Sequence, residues 1–490
     1  MKDIQSSIKK VMIVFSFLLL ALITYIAYFQ AFKAPDIAEK TGNQRLWAER
    51  NKVLRGTIYD RNMVALTESK RKDALTQERK YTQGSLYSHI LGYANEKYGL
   101  TGLENTYDKE LRNYNKISYS VNSLLDTLKI KEAFKNRIDE DEDIVGNSLV
   151  TSLDTNVQKS AYQALENKKG AVVVLNPKTG EIIASVSSPT YDPNNLDDVM
   201  KAANSGAQSN FPLINRSTAG MYAPGSTFKI VTLTSSLENL PGVTNRTFND
   251  NGKIVFNSKQ SLSNYAGASY GSIGLKDALR VSSNVVFGTL AMDLGNSKLK
   301  TTAENYYFNK NIPADGVVIE TSKFPTIDDS EKGSIAQTGI GQSSILATPM
   351  QMALIASAVA NDGVMVEPKL VNTVVDKNGK TVKNIDTKNI GRSLSSENAA
   401  IIKDYMRNVV SSRENSQWTY FKGLNVAGKT GTADYKLPDG TDAVPNAWFI
   451  GFAPAENPQY AIAVLIENGG VGGVAAAETA GKVLKTAMGR

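Results

Sequence analysis

The chain has 490 residues, 41% hydrophobic and 21% charged, with 55 Lys and Arg against 48 Asp and Glu for a net charge of +7. That length allows two or more domains with a large core; the basic residues are scattered among acidic ones rather than gathered into the blocks usual in a nucleic-acid binder, and attraction to an anionic membrane or wall polymer fits the charge equally well. The lack of cysteine excludes disulfides and thiolate metal sites; the single histidine, His89, excludes an imidazole-rich metal site and leaves a Ser-His-Asp triad open only if its base comes from the N-terminal region.

Val11 to Phe29 is an uncharged, largely apolar run. As a helix it spans about 28 Å, close to the thickness of a bilayer core. Lys2, Lys9 and Lys10 precede it, which places residues 1–10 in the cytoplasm by the positive-inside rule. A cleaved signal peptide is the alternative, but the run is longer than the usual apolar region of one and lacks a small-x-small site before Lys33. We therefore expect residues 11–30 to be a single uncleaved anchor, with everything beyond them extracytoplasmic.

Residues 31–148 are polar and poor in long apolar runs. Arg55-Gly56-Thr57-Ile58-Tyr59-Asp60-Arg61 reads as a turn feeding a short strand at Met63–Leu66, and Gly102 to Arg112 as a helical stretch. The acidic run Asp139 to Asp143 reads as a solvated linker. From residue 149 a second domain begins, running to 490. Asp154 caps a helix to about Leu165, and two apolar runs, Ala171–Leu175 and Glu181–Ser187, form a hairpin around Asn176-Pro177-Lys178-Thr179-Gly180. Further helices are expected from Ser226, at Leu275–Arg280, at Pro349–Asn361 and at Ala475–Met488. Asn425–Thr432, Ala447–Pro454 and Tyr460–Glu467 read as consecutive antiparallel strands. Two strands early, three late and helices between predict an α+β domain with helices packed on a sheet.

Three short motifs carry chemistry. In Ala223-Pro224-Gly225-Ser226-Thr227-Phe228-Lys229 the Pro-Gly pair stops what precedes it, and an apolar stripe (Phe228, Ile230, Val231, Leu233, Leu237, Leu240) follows. Ser226 then sits at a helix N-terminus, with Lys229 one turn later on the same face. A neutral lysine in that place can take the proton of the serine and make it a nucleophile. Ser282-Ser283-Asn284 offers a hydroxyl to relay a proton and an amide to hold a carbonyl. Lys429-Thr430-Gly431-Thr432 lies in a strand, where the glycine would let a substrate backbone lie close and the threonine hydroxyls and lysine could hold a carboxylate. Ser-x-x-Lys recurs at Ser6, Ser7, Ser69 and Ser297, and Lys-Thr-Gly at Lys40 and Lys178; no single motif is decisive.

Their order and setting are. Ser-x-x-Lys, Ser-x-Asn and Lys-Thr-Gly follow one another along the chain, and in this the sequence resembles the penicillin-recognising serine acyltransferases. Within them it is similar to the class B penicillin-binding proteins, peptidoglycan D,D-transpeptidases. Arg55 to Arg61 and Gly102-Leu103-Glu104 resemble that class's N-terminal signatures. Gly339-Ile340-Gly341-Gln342, Thr348-Pro349-Met350-Gln351 and Ala447-Trp448-Phe449-Ile450-Gly451-Phe452 resemble its catalytic-domain landmarks. Asn62-Met63 departs from it, standing where the class has a glycine-containing turn.

The resemblance implies a serine β-lactamase/transpeptidase-like domain, an antiparallel sheet with helices on both faces, on a small elongated pedestal. It implies that Ser226 attacks the D-Ala-D-Ala carbonyl of a peptidoglycan stem peptide, with Lys229 as base, Ser282 as relay, Asn284 positioning stem and lysine, and Lys429 lowering the pKa of Lys229. Thr430 and Thr432 would hold the terminal carboxylate, and the N–H groups of Ser226 and Thr432 would form the oxyanion hole. A β-lactam would be trapped on Ser226, a polytopic membrane glycan polymerase would be the partner, and neither cofactor nor metal is expected. Two alternatives stay open: a D,D-carboxypeptidase or β-lactamase on the same fold, and a non-catalytic sensor or scaffold that binds wall fragments.

Overall fold

The computed structural model describes residues 2–33, 44–73, 76–113, 144–205, 210–258, 260–436 and 440–490. The expected acidic linker at Asp139–Asp143 lies outside the described residues. The N-terminal helix α1 (Lys2–Tyr28) contains a segment, Ser6–Tyr28, that is long and apolar enough to cross a membrane, and none of its most apolar window is buried in the protein.

A five-stranded antiparallel sheet positions the site. The elements that build it and its surroundings are, in chain order, β1 (Ile58–Tyr59), β2 (Ser148–Thr151), α2 (Thr155–Ala164), β3 (Gly170–Leu175), β4 (Ile182–Ser188), α3 (Lys229–Asn239), α4 (Leu275–Val281), α5 (Asn284–Asn305), α6 (Pro349–Ala360), β5 (Val371–Val375), β6 (Thr381–Asn384), α7 (Ser396–Ser411), β7 (Ala427–Ala433), β8 (Asn446–Ala453), β9 (Tyr460–Ile466) and α8 (Ala475–Ala487). The sheet order is β7-β8-β9-β3-β4. The three inner strands β8, β9 and β3 are largely apolar because helices cover both faces. α2 and α8 pack on one face; α6 lies against β3, β8 and β9 on the other, with α7 against β7. All twelve residues of α6 are buried. Thr348 starts that helix, its hydroxyl accepting from Gln351 N at 3.1 Å, with Pro349 in the first turn where it costs no hydrogen bond.

The hairpin, the capped helix at 155–164, the three late strands and the C-terminal helix fall where the sequence places them. The long helices α5 and α7 are not among the expected elements, although α7 buries Ala399, Ile402, Tyr405, Met406, Val409 and Val410 at helical spacing. In α5 a Gly295 at φ 73° breaks the pattern, and no residue of the stretch before it, 284–292, is exposed, so no polar face alternates there with an apolar one. The expected helical stretch over 102–112 divides into Gly102–Thr106 and Asp108–Arg112 at Tyr107.

A second sheet, β1-β2-β5-β6, pairs the N-terminal strand β1 in parallel with β2, and β2 with β5. Beneath it the signature residues Arg55 and Glu104 form a buried ion pair, to which Arg79 Nε adds a contact at 2.8 Å to Glu104 and Asp108 one at 2.5 Å to Arg55. Burial works against the charged form of Glu104, but Arg79 and Arg55 outweigh it and hold the carboxyl below its ordinary value.

The strand expected at Met63–Leu66 is instead a tight turn. Asp60 Oδ1 accepts from Asn62 N and Val64 N at 2.8 Å, Ala65 makes an isolated bridge to Tyr59, and the strand proper is Thr67–Arg71. Met63 is left-handed there, at φ 64°, which accounts for the glycine that the resembled class has in this turn. Met63→Gly is therefore expected to stabilise the protein by about 0.5–1 kcal/mol, relief of backbone strain exceeding the entropy a glycine adds to the unfolded chain. A rise in the thermal unfolding midpoint of the full chain checks this, and an unchanged or lower midpoint would count against it.

Candidate active site

Pro224 leads into a 3-10 turn, Gly225–Phe228, and only then into α3, so Ser226 lies in the tightened first turn. Close backbone contacts hold that turn. Gly225 is at φ 53°, donates its N–H to Gly341 O at 2.9 Å, and has the Thr432 carbonyl 2.4 Å from where a Cβ would be. Gly341 meets the Gly225 carbonyl just as tightly. Trp448 on β8 donates Nε1–H to Ala223 O at 3.0 Å, and Thr227 Oγ1 donates to Pro224 O at 2.7 Å. These contacts assign structural roles to the Gly339–Gln342 and Ala447–Phe452 landmarks: both support the turn that carries Ser226.

Lys229, wholly buried, reaches across to the second motif. Its Nζ donates to Ser282 O at 2.7 Å and to Asn284 Oδ1 at 2.8 Å, and stands 3.2 Å from Ser282 Oγ. Lys429 comes from β7 on the other side, its Nζ donating to Ser282 Oγ at 2.8 Å and to Thr430 O at 2.9 Å. The structure thus brings Lys229, Ser282, Asn284 and Lys429 together from three parts of the chain, and the turn that carries Ser226 leads directly into Lys229. Burial first, and the charge of Lys429 second, push Lys229 well below its ordinary pKa, with Asp250 pulling the other way. Burial and then Arg413 bring Lys429 down to about 7.

The second motif depends on a residue that carries no chemistry in the sequence reading. Ser283 caps α5, its hydroxyl accepting from Val286 N at 3.0 Å and donating to the fully buried Asp250 at 2.5 Å. Asn264 Nδ2 donates to the same carboxylate at 2.8 Å, while its Oδ1 accepts from Asn284 N at 2.7 Å and Val285 N at 3.1 Å. Together they hold Ser282 at φ 60°, the left-handed conformation that aims its hydroxyl between the two lysines. Asn284 Nδ2 donates to Ser263 O at 2.7 Å, which turns its Oδ1 toward Lys229. Asp250 is not among the expected site residues, and nothing local in its sequence shows that its carboxylate points inward.

In the third motif the glycine serves a different end from the one expected. A Cβ at Gly431 would lie 2.8 Å from Pro224 O and 3.0 Å from Thr227 Cγ2, so the bare backbone packs β7 onto the Ser226 turn. Gly472 packs behind it in turn, 2.0 Å from the Gly431 carbonyl at the Cβ position, and donates its N–H to Thr432 Oγ1 at 3.3 Å. Thr430 and Thr432 are part-exposed. His89 lies apart from these residues: its Nε2–H donates to Pro212 O at 2.7 Å, its ring meets Tyr191 edge-on, and burial brings its pKa down to about 4. The other Ser-x-x-Lys copies fall on α1, on the strand Thr67–Arg71 and on α5.

Comparison with known proteins gives a consistent set of likenesses. The family described as "Penicillin binding protein transpeptidase domain" matches residues 170–488, and "Penicillin binding protein A dimerisation domain" matches residues 55–134. The peptidoglycan D,D-transpeptidase PbpA of Mycolicibacterium smegmatis is 29% identical over 481 residues, covering 95% of this chain and 94% of that protein. The D,D-transpeptidase domain of a peptidoglycan glycosyltransferase from Eggerthella lenta is 32% identical, with a TM-score of 0.77 over 89% of this chain and 99% of the other. Penicillin-binding protein A of M. tuberculosis, solved as a ceftriaxone acyl-enzyme, is 28% identical, with a TM-score of 0.79 over 90% and 100%.

Ser283→Ala removes both the helix cap and the hydroxyl that satisfies Asp250, and is expected to lower the unfolding free energy by about 1–3 kcal/mol. Ser283→Thr should keep most of it. Equal stability of the alanine and native proteins in urea would mean that the network does not hold the loop.

Proposed function

Because the chain belongs to the transpeptidase family of penicillin-binding proteins, we propose that its D,D-transpeptidase activity in peptidoglycan cross-linking runs through an acyl-enzyme on Ser226, the residue that β-lactams also acylate. The observation that carries this reading is the pair of buried lysines on one hydroxyl, Ser282 Oγ, next to the Ser226 turn.

A neutral amine has two N–H bonds and one lone pair. Two carbonyl oxygens, Ser282 O and Asn284 Oδ1, take both N–H bonds of Lys229. The lone pair is left for a hydroxyl proton, which suits Lys229 as the base. Ser226 Oγ attacks the carbonyl carbon between the two terminal D-alanines, and its proton passes to Lys229. The tetrahedral oxyanion is met by the N–H groups of Ser226 and Thr432. The C–N bond then breaks. The departing D-alanine takes a proton from Ser282 Oγ, whose lone pairs face the two lysines and whose own proton is free to be given outward. Lys229, now protonated, restores that proton. An amine from a neighbouring stem attacks the ester carbonyl, loses a proton to the same relay and releases Ser226. With a β-lactam the leaving nitrogen stays tethered, and the ester persists. Thr430 and Thr432 receive the terminal carboxylate, Gly472 N–H occupying one lone pair of Thr432 Oγ1 and so favouring an outward hydroxyl proton.

Around this site we place a cytoplasmic N-terminus over 1–10, an anchor over 11–30, a pedestal over 31–148 and the transpeptidase domain over 149–490, outside the membrane. Lys2, Lys9 and Lys10 before the apolar run support that orientation. A polytopic membrane glycan polymerase, met by the anchor and pedestal, remains the expected partner. Its repeated absence from material purified with the full-length chain would count against it.

Intact mass spectrometry of the full-length chain with a penicillin tests the central reading. A persistent adduct is expected with the native protein and none with Ser226→Ala, while Lys229→Ala should acylate at least about 100-fold more slowly. Full labelling of Lys229→Ala would remove it as base. An adduct that clears with drug turnover would instead identify a hydrolase, and no adduct at any drug concentration a non-catalytic binder.

A further inference from the structure

Away from the catalytic cleft, a cavity of about 490 Å³ opens in the pedestal, bounded by the helix Gln44–Asn51 and the strand Gln77–Tyr81. None of the three motifs lines it, and its volume lies in the range of small-ligand sites. Its inner wall is rich in arginine. The side chains of Arg55 and Arg79 are 6% and 5% exposed, and both pair with Glu104. Asp108 takes Arg55 at 2.5 Å and Arg112 at 2.7 Å, and Arg50 stands 3.5 Å from it. Among the described residues, Glu104 and Asp108 thus divide themselves among more guanidinium groups than they can neutralise.

A donor on that wall also lacks an acceptor. Arg79 Nε donates to Glu104 Oε1 at 2.8 Å, and Nη1 donates to Gly56 O at 2.8 Å and Ser69 Oγ at 2.9 Å. Nη2 is buried and meets no acceptor among the described residues. Buried guanidinium hydrogens are nearly always satisfied, so a pair left over on the wall of a cavity points to an acceptor from outside the chain. The acids at the mouth are engaged elsewhere or turned to solvent. Glu96 accepts from Asn51 at 2.8 Å, Asp197 accepts from Lys97 at 2.7 Å, and Glu78 is exposed. Trp47, with the Arg50 guanidinium 5.1 Å from its ring centre, adds an apolar side.

We propose that this cavity binds a phosphate group, free or carried on a lipid headgroup, whose oxygens accept from Arg79 and the arginines beside it. Guanidinium forks hold phosphate by paired hydrogen bonds. A phosphate brings more charge and more acceptor oxygens than a carboxylate, which matches several arginines on one wall. The apolar side at Trp47 suits the carbon part of an organic phosphate. Lipid is within reach, because the helix Gln44–Asn51 begins sixteen positions after the apolar span Ser6–Tyr28 ends. At ~3.5 Å per residue that tether extends no further than about 55 Å.

The test is equilibrium dialysis of the full-length chain, in a neutral detergent at low salt, against radiolabelled inorganic phosphate or glycerophosphoglycerol, the deacylated headgroup of phosphatidylglycerol. Thermal unfolding and penicillin labelling are followed in parallel. Saturable, stoichiometric binding of at least one of the two is expected. Arg79→Lys keeps a charge facing Glu104 but loses the Nη2 fork, and should weaken binding at least about tenfold. Arg112→Gln, at a more open part of the wall, should weaken it similarly and covers the case in which Arg79→Lys fails to fold. Penicillin labelling should stay at the native level in both. Native-strength binding in the folded variants would place the phosphate elsewhere and overturn the proposal. So would a lack of saturable binding of either probe, which leaves the cavity to water, or acetate displacing the label as well as phosphate does. Tighter binding of glycerophosphoglycerol than of inorganic phosphate would identify the lipid headgroup as the source, and the reverse order the free ion.

Discussion

Two buried amines share one hydroxyl oxygen, and most of the site follows from making that tolerable. Two unit charges about 4 Å apart repel by roughly 4 kcal/mol at the effective dielectric of a protein interior. Both Lys229 and Lys429 cannot remain fully protonated at neutral pH in that arrangement, and burial disfavours charge on either. The protein thus keeps a base in its reactive state before any substrate arrives. The same constraint explains why Ser282 is held at a left-handed backbone angle by Asp250, Asn264 and the Ser283 cap. A hydroxyl that wandered by one rotamer would lose one amine or the other.

The three motifs reach each other because each is fixed from behind by backbone. The Ser226 turn rests on Gly341 and Trp448, the Ser282 loop on Asp250, and the Lys429 strand on the Ser226 turn through Gly431. Loops alone would not hold these distances; a fully covered sheet does. The large apolar core around α6 supplies the stability against which the unfavourable lysine pair is set.

Much of this was legible in the residues. The strands at the two ends of the catalytic domain were legible because their β-branched runs are bounded by turns, and α6 because its apolar run follows Thr-Pro. Lys229, Ser282, Asn284 and Lys429, which meet in the structure, were singled out with Ser226 through the order of three motifs, none of which suffices alone. The long helix α5 was not, since its first half is covered all round and Gly295 interrupts it, whereas α7 carries a helical apolar period, Ala399, Ile402, Tyr405, Met406, Val409 and Val410, that the reading passed over. Nor were the supports. Gly431 invites the idea of room for a substrate, whereas the space it leaves is filled from behind by Pro224 and Thr227. Asp250 and Asn264 act through contacts made across 14 to 33 residues of chain, separations that only tertiary structure resolves.

The layered glycines beneath the nucleophile bear on how heritable drug tolerance could arise. Gly225, Gly341, Gly431 and Gly472 each leave a neighbouring backbone atom closer than any side chain allows. A mutation that narrowed the cleft from below would dislodge Ser226 before it excluded a drug, and cross-linking would be lost with it. Selection is left with the rim. There Val444 and Val471 stand exposed beside the end of β7 and the Gly472 contact, free to change shape while the floor stays as it is.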